Sequence, residues 1–484
     1  MKIKSVFLSF NIKTMKRITL FLLLSLVITG FAKGQDQIDK KSVAGSWLGK
    51  LDVNSVALRI IFNLSLIEKD SIVATLDSPD QGAKNIKIGP VTLDGKEISI
   101  KAPLLLAEFN GTVKDDTLIE GTFKQAGRTM PLNLIKLKKA FALNRPQEPK
   151  PPFPYISEDI KFTNEKAGIK LGGTLTMPEG DGPFPAVILI TGSGSQNRNE
   201  ELMGHKPFWV IADHLSRNGI AVLRYDDRGV GQSQGSPLNA TSGDFSTDAE
   251  AAFIYLRTRK EIEPESIGLA GHSEGGLIAP IVAASDNRIA FIIALAGPGV
   301  TGDQILHKQN YDISIISGSE EKQIKESISI NRKLFAILKK EPDNTKAETR
   351  ISEIYKKALT KEKKSPEEID QALIQLNASL SPVSYNWFRY FISTNPADYW
   401  KKVKCPVLAL NGEKDLQVAA DVNLPAIVKA LKSGGNKAVT TMKLPELNHL
   451  FQHCKTGLPA EYGEIEETFS PEVLKIMSDW INGL

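Results

Sequence analysis

Apolar and polar residues alternate with a period of two from about residue 44 to residue 137, the mark of strands with one buried face. Leu58, Ile60, Phe62, Leu64 and Leu66 share a face of one such strand, Asp94 and Gly95 mark a hairpin turn, and Ile98 and Ile100 resume the alternation. Trp47 with Gly49, Phe109 with Gly111, and Ile119 with Gly121 repeat a theme of bulky residue, then glycine two positions on. The pattern predicts a small antiparallel β domain over residues 35–143, a barrel or a sandwich. It contains no cluster of His, Cys or paired acids, so its expected role is structural or in interaction.

Pro146, Pro149, Pro151, Pro152 and Pro154 then exclude helix or central strand and predict a stiff linker over 144–155. Residues 160–163 and 169–177 read as an antiparallel pair, after which the period changes. Continuous apolar runs at 186–190, 220–223, 267–270, 289–295 and 407–410 predict strands buried on both faces, with helical stretches between most of them. That alternation specifies an α/β fold with a mostly parallel sheet over 156–484. Residues from about 303 to 400 interrupt it with charged stretches, such as 320–326 and 361–364, among apolar residues at helical spacing. This predicts an inserted helical cap whose charge runs are solvated faces. Trp387, Phe388, Tyr390 and Phe391 are too many aromatics for one stripe, and either line an apolar pocket under the cap or pack on the main domain.

Length and composition suit a globular protein of two or three domains: 484 residues, 41% hydrophobic and 24% charged. The net charge of +4 comes from the start of the chain, where Lys2, Lys4, Lys13, Lys16, Arg17 and Lys33 precede any acid. What remains is nearly balanced, which argues against a nucleic-acid partner. Lys16 and Arg17, the apolar run 18–31, and small residues at Ala32 and Gly34 predict a signal peptide over 1–34, cleaved before Gln35. An uncleaved anchor is the rival, and Met15 competes with Met1 as the start. The mature protein is expected in the periplasm or outside the cell, without stable membrane insertion. Cys405 and Cys454 are expected at opposite ends of a strand, roughly 20 Å apart. A disulfide needs about 5.5 Å between Cα atoms, so free thiols are predicted.

The candidate chemistry centres on Gly271, His272, Ser273, Glu274 and Gly275, a G-x-S-x-G between a predicted strand and a predicted helix. In that setting the motif is a nucleophile elbow, which lifts a serine hydroxyl toward substrate. A serine needs a base, usually a histidine held by a carboxylate. Of six histidines, His272 adjoins the serine but points away from it, His214 lies in a helix and His307 in the cap. His449, in a loop before the last helix, is the candidate, with His205 an outside possibility. His449 and His453 have helical metal-ligand spacing but no evident third ligand, so a structural His453 is expected and no metal or cofactor is assigned. Asp415 follows the strand at 407–410 and is the candidate carboxylate, with Asp421 and Glu446 as alternatives. The order Ser273, Asp415, His449 is that of α/β-hydrolase triads. The amides of Glu274 and Ser193 are the candidate oxyanion donors. The loop holding Thr191, Gly192, Ser193, Gly194 and Ser195 lacks the ending of a phosphate-binding loop.

Residues 155–484 resemble the α/β-hydrolase superfamily. The likeness rests on Asp227, Arg228, Gly229, Val230, Gly231, Gln232 and Ser233, on the elbow, on Asn411 to Asp415, and on Asn448 with His449. The β-rich start followed by Gly192, Ser193, Gly194 and the elbow is similar to secreted bacterial two-domain serine esterases of the EstD type. The resemblance implies a carboxylesterase favouring short acyl chains, working without a cofactor on a small-molecule ester. Thr191 and Gly192 stand where many relatives carry His and Gly. A peptidase or amidase of the serine aminopeptidase type, and a non-catalytic surface-binding protein on the same scaffold, are the other readings. The sequence leaves the oligomeric state open.

Overall fold

The computed structural model describes residues 38–53, 56–67, 71–81, 83–125, 128–379 and 382–484. The signal peptide expected over 1–34 lies outside the described residues. The chain divides into two compact units: one ends at Asn144 and includes Leu202–Gly204, and the other comprises Arg145–Glu201 and His205–Leu484.

The N-terminal unit is one curled antiparallel sheet of ten strands among the described residues. Gly45–Val53 pairs with Val56–Ile67 on one side and Leu134–Lys136 on the other. The hydrogen-bonded path ends at Ala83–Lys87 and at Val91–Asp94, and those ends are not paired with each other among the described residues. Curling of one sheet, rather than closure into a ring or stacking of two sheets, surrounds the core. Trp47, Phe62, Ile98, Ile100, Phe109 and Ile119 form its centre, all nearly inaccessible to solvent. The bulky-then-glycine theme has a steric cause here. Gly111 and Gly121 are register partners, and a β-carbon on either would fall 2.8 or 2.7 Å from the Phe109 ring, which covers both. The hairpin closes between Asp94 and Glu97, with Gly95 at φ 57°.

The second unit holds an eight-stranded sheet: β1 (Tyr155–Asn164), β2 (Ile169–Pro178), β3 (Phe184–Ile190), β4 (Ala221–Tyr225), β5 (Ile262–His272), β6 (Ile292–Leu295), β7 (Val407–Gly412) and β8 (Val439–Leu444). Their order is β1-β2-β4-β3-β5-β6-β7-β8; β1, β2 and β4 are joined antiparallel and the rest parallel. The period of two explains the continuous apolar runs. In β3, Ala186, Ile188 and Ile190 enter one core, while Val187 and Leu189 enter the other. The first core is covered by α2 (Ser242–Leu256), α3 (Gly275–Ser285) and α9 (Ala420–Ser433), the second by α1 (Pro207–Arg217) and α10 (Pro471–Asn482).

Between β6 and β7 the chain forms α4 (Gly302–Ile316), α5 (Glu321–Lys340), α6 (Asn344–Lys361), α7 (Pro366–Ser379) and α8 (Pro382–Ser393), and then the short turn Ala397–Trp400. The apolar spacing that marks these helices in the sequence is visible in α6, where Ala347, Ile351, Tyr355 and Leu359 form the buried stripe. No helix among the described residues is long and apolar enough to cross a membrane.

The proline-rich stretch has no regular structure, but its start is held by the second unit. Arg145 donates to the carbonyls of Gly463 and Ile465 at 3.0 Å, and Gln147 donates to that of Phe469 at 2.7 Å. Both cysteines are free, and burial pushes the Cys405 thiol up to about 12 and the Cys454 thiol to about 11.

Candidate active site

Ser273 follows β5 directly and precedes α3, at the strand-to-helix turn that the glycine spacing predicts. Its φ of 51° is left-handed, a costly conformation for a residue with a β-carbon. The turn is held by the Ser273 amide, which donates to the Leu295 carbonyl at 2.8 Å. It is tight enough to require glycine at 275, where a β-carbon would lie 2.2 Å from the Ile190 carbonyl oxygen.

The acid and the base follow the last two strands of the sheet, β7 and β8. Asp415 lies in the turn after β7, where its Oδ1 accepts from the amides of Gln417 and Val418 at 2.8 and 2.9 Å. Its Oδ2 accepts from Asn411 Nδ2 at 2.9 Å and from His449 Nδ1 at 2.8 Å. His449 follows β8 in a loop shaped by Asn448, whose Oδ1 accepts from the amides of Leu450 and Gln452. With Nδ1 donating to a carboxylate, the neutral ring presents Nε2 as an acceptor, the form a general base requires. His449 and Asp415 are both buried, and the His449 ring centre stands 4.8 Å from that of His272, the residue before the serine.

Gly192 and Ser193 follow β3. A β-carbon on Gly192 would lie 3.2 Å from the Ser273 β-carbon, so this loop borders the serine. Among the described residues neither the Ser193 amide nor the Glu274 amide donates within the chain. The Gly192 amide is engaged, donating to Glu200 Oε1 at 2.7 Å. Asp227 steadies the loop by accepting from Thr191 Oγ1 and the Gln196 amide, both at 2.8 Å.

Three groups were not singled out for these roles by sequence. Glu200 and His272 are hydrogen-bonded at 2.9 Å, and His272 Nε2 donates to the His449 carbonyl at 3.0 Å. The Glu274 side chain is buried beside the serine, and its Oε1 accepts from Ser242 at the start of α2 and from the Trp387 indole of α8, at 2.6 and 2.7 Å; the Ser193 side chain also bonds to it. Burial raises its carboxyl above the ordinary range against those donors. The aromatic quartet thus packs on the main domain as well as within the cap: Phe391 stacks on Trp387 at 5.3 Å, and Phe388 meets Phe335 edge-on.

The other candidates are placed elsewhere. His205 is buried and bonded to Thr468 and the Tyr462 carbonyl, and His214 bonds to Ser478. His453 pairs with Glu467, in a stretch that is an irregular loop rather than a helix, with Phe451 at φ 58°. Among the described residues no group of three or more His, Cys, Asp or Glu is arranged to hold a metal ion. Asp421 and Glu446 are exposed and paired with Lys443 and Lys414.

Strand order, elbow, acid turn and histidine loop are those of one fold, and residues 208–358 match the family described as serine aminopeptidase, S33. The second unit has the α/β-hydrolase fold. The chain is 26% identical over 316 residues to Esterase EstD of Thermotoga maritima, covering 63% of this chain and 65% of that one. The matched stretch therefore falls just short of two thirds of that relative's length. The chain is also 34% identical over 129 residues to thiohydrolase aneE of Aspergillus aculeatus, covering 26% of this chain and 38% of that protein. Among solved structures, the Pyrococcus furiosus esterase Pf2001 aligns with 71% of this chain and 99% of its own, at 17% identity and a TM-score of 0.42.

Proposed function

We propose that the hydrolase is an exported serine esterase that cleaves small carboxylic esters, favouring short acyl chains, through an acyl-enzyme on Ser273. Ser273 Oγ attacks the ester carbonyl as His449 Nε2 takes its proton, while Asp415 holds the ring and stabilises the imidazolium. The Ser193 and Glu274 amides receive the developing oxyanion, each such donor being worth about 2.7–4 kcal/mol. Collapse expels the alcohol with the proton from His449, and water attacks the acyl-enzyme by the same route to release the acid. The observation that carries this reading is the 2.8 Å bond from the buried His449 Nδ1 to Asp415 at the strand edge that bears the elbow.

The match to a serine aminopeptidase family favours a second reading, in which the same groups cleave an amide. A series of p-nitrophenyl esters from acetate to decanoate, run beside aminoacyl p-nitroanilides, separates the two. The ester reading expects turnover that peaks at short chains with little on the anilides. Turnover of the anilides above that of every ester would replace it with the peptidase reading.

A further inference from the structure

Glu200 and His272 are absent from the reaction above, yet they are buried beside it and bonded to both sides of it. A carbonyl oxygen only accepts hydrogen bonds, so the contact to the His449 carbonyl places a proton on His272 Nε2. The other nitrogen, Nδ1, faces Glu200 Oε1 at 2.9 Å, and the same oxygen accepts from the Gly192 amide at 2.7 Å. A carboxylate accepting twice, with a ring donating at both nitrogens, satisfies every member of this buried set.

We infer that Glu200 and His272 form a second carboxylate–imidazolium pair, a positioning pair that ties the loop carrying Ser193, through Gly192, to the backbone of His449. The inference rests on the esterase reading for its consequence, but not for its charge state. Glu200 lies on the loop after β3, His272 at the end of β5 and His449 after β8, so one charge pair spans three strand ends. The groups facing His272 are Glu200, the His449 carbonyl and ring, the Phe451 ring edge-on at 6.4 Å, and the charge of Asp415. Burial works against the charged ring, while Glu200, the His449 carbonyl and Asp415 outweigh it and raise His272 above an ordinary histidine. The sign follows. The clamp is complete below the raised value, and one of its two bonds is lost as pH rises through it.

The test is nitrogen-15 NMR of the histidine rings in the full-length mature protein, run beside the rate of fluorophosphonate labelling at Ser273. At pH 7.5 an unperturbed histidine, with a pKa of about 6.5, is mostly neutral. His272 is expected to carry protons on both nitrogens at that pH in the wild type. Glu200→Gln, which keeps the shape and removes the charge, is expected to bring the titration of His272 below that of the wild type. The same variant is expected to slow labelling about 10- to 100-fold, with the fold retained by circular dichroism. A neutral His272 ring in the wild type at pH 7.5 overturns the pair. A doubly protonated ring with an unslowed Glu200→Gln variant overturns its positioning role. Absence of labelling at Ser273 in the wild type counts against the esterase reading instead, and the ring spectra still decide the charge pair.

Discussion

The two units bury their sheets differently. In the N-terminal unit Trp47, Phe62 and Phe109 fill the inside of a curled sheet, and Arg59 and Asp80 form a buried ion pair. In the second unit both faces of the sheet are apolar, and one set of buried titratable groups lies at a single edge. Glu200, His272, Glu274, Asp415 and His449 are all buried there, each with named partners. Such burial is costly unless every group is satisfied, and a carboxylate held this way contributes little to folding. The comparison separates residues that hold the fold from residues assigned to the proposed chemistry.

Substitutions sharpen that separation. The largest effect is expected for Ser273→Ala, which should lower ester hydrolysis by about 10⁴-fold or more while leaving the thermal transition in place. Unfolding at a lower temperature would instead make the serine part of the scaffold. Asp415→Asn comes next, with kcat lower by about 10³–10⁴-fold, because an amide cannot hold the neutral His449 tautomer with Nε2 free. Steady-state kinetics at saturating ester measures it, and a mere tenfold loss would shift the role to another acid.

Phe109→Ala tests the other side. Removing a ring that covers two glycines should cost the N-terminal unit about 3–5 kcal/mol, read as lost hydrogen-exchange protection across residues 45–136. The labelling rate of Ser273 is expected to stay within twofold, and a large loss would break the division of labour between the units. The smallest effect concerns Glu274. Its carboxyl is raised by burial, so the folded chain binds that proton more readily than the unfolded chain, and the penalty of the buried carboxylate is full at alkaline pH. Glu274→Gln should therefore melt about 1–2 °C higher than the wild type at pH 8, with the gap closing as pH falls toward the ordinary carboxylate value of 4.5. Calorimetry between pH 5 and pH 8 checks this, and a gap that widens on acidification contradicts it.

Much of this was legible in sequence because periodicity and turn chemistry are local. The runs at 186–190 and 407–410 could only be doubly covered strands, and Gly271, Ser273 and Gly275 carry their geometry with them. Asp415 and His449 were readable from their order behind strands, a property of topology rather than of contact. The Glu200–His272 pair was not readable, since its members are 72 positions apart and meet only through the path of the loop after β3. What His272 meets at the end of β5 is set by two other loops, those carrying Glu200 and His449. For the same reason, five prolines excluded regular structure over the linker without revealing that Arg145 and Gln147 fasten its start to the carbonyls of Gly463, Ile465 and Phe469. The alternation in the first unit specified antiparallel strands but not an open, curled path, because curl depends on twist and on glycines facing one another across strands.

The most direct test of the account is fluorophosphonate labelling of the mature protein followed by peptide mapping. A single adduct on Ser273, much slowed in His449→Ala, is the predicted result. An adduct on another serine, or none on folded and ester-hydrolysing protein, would contradict it.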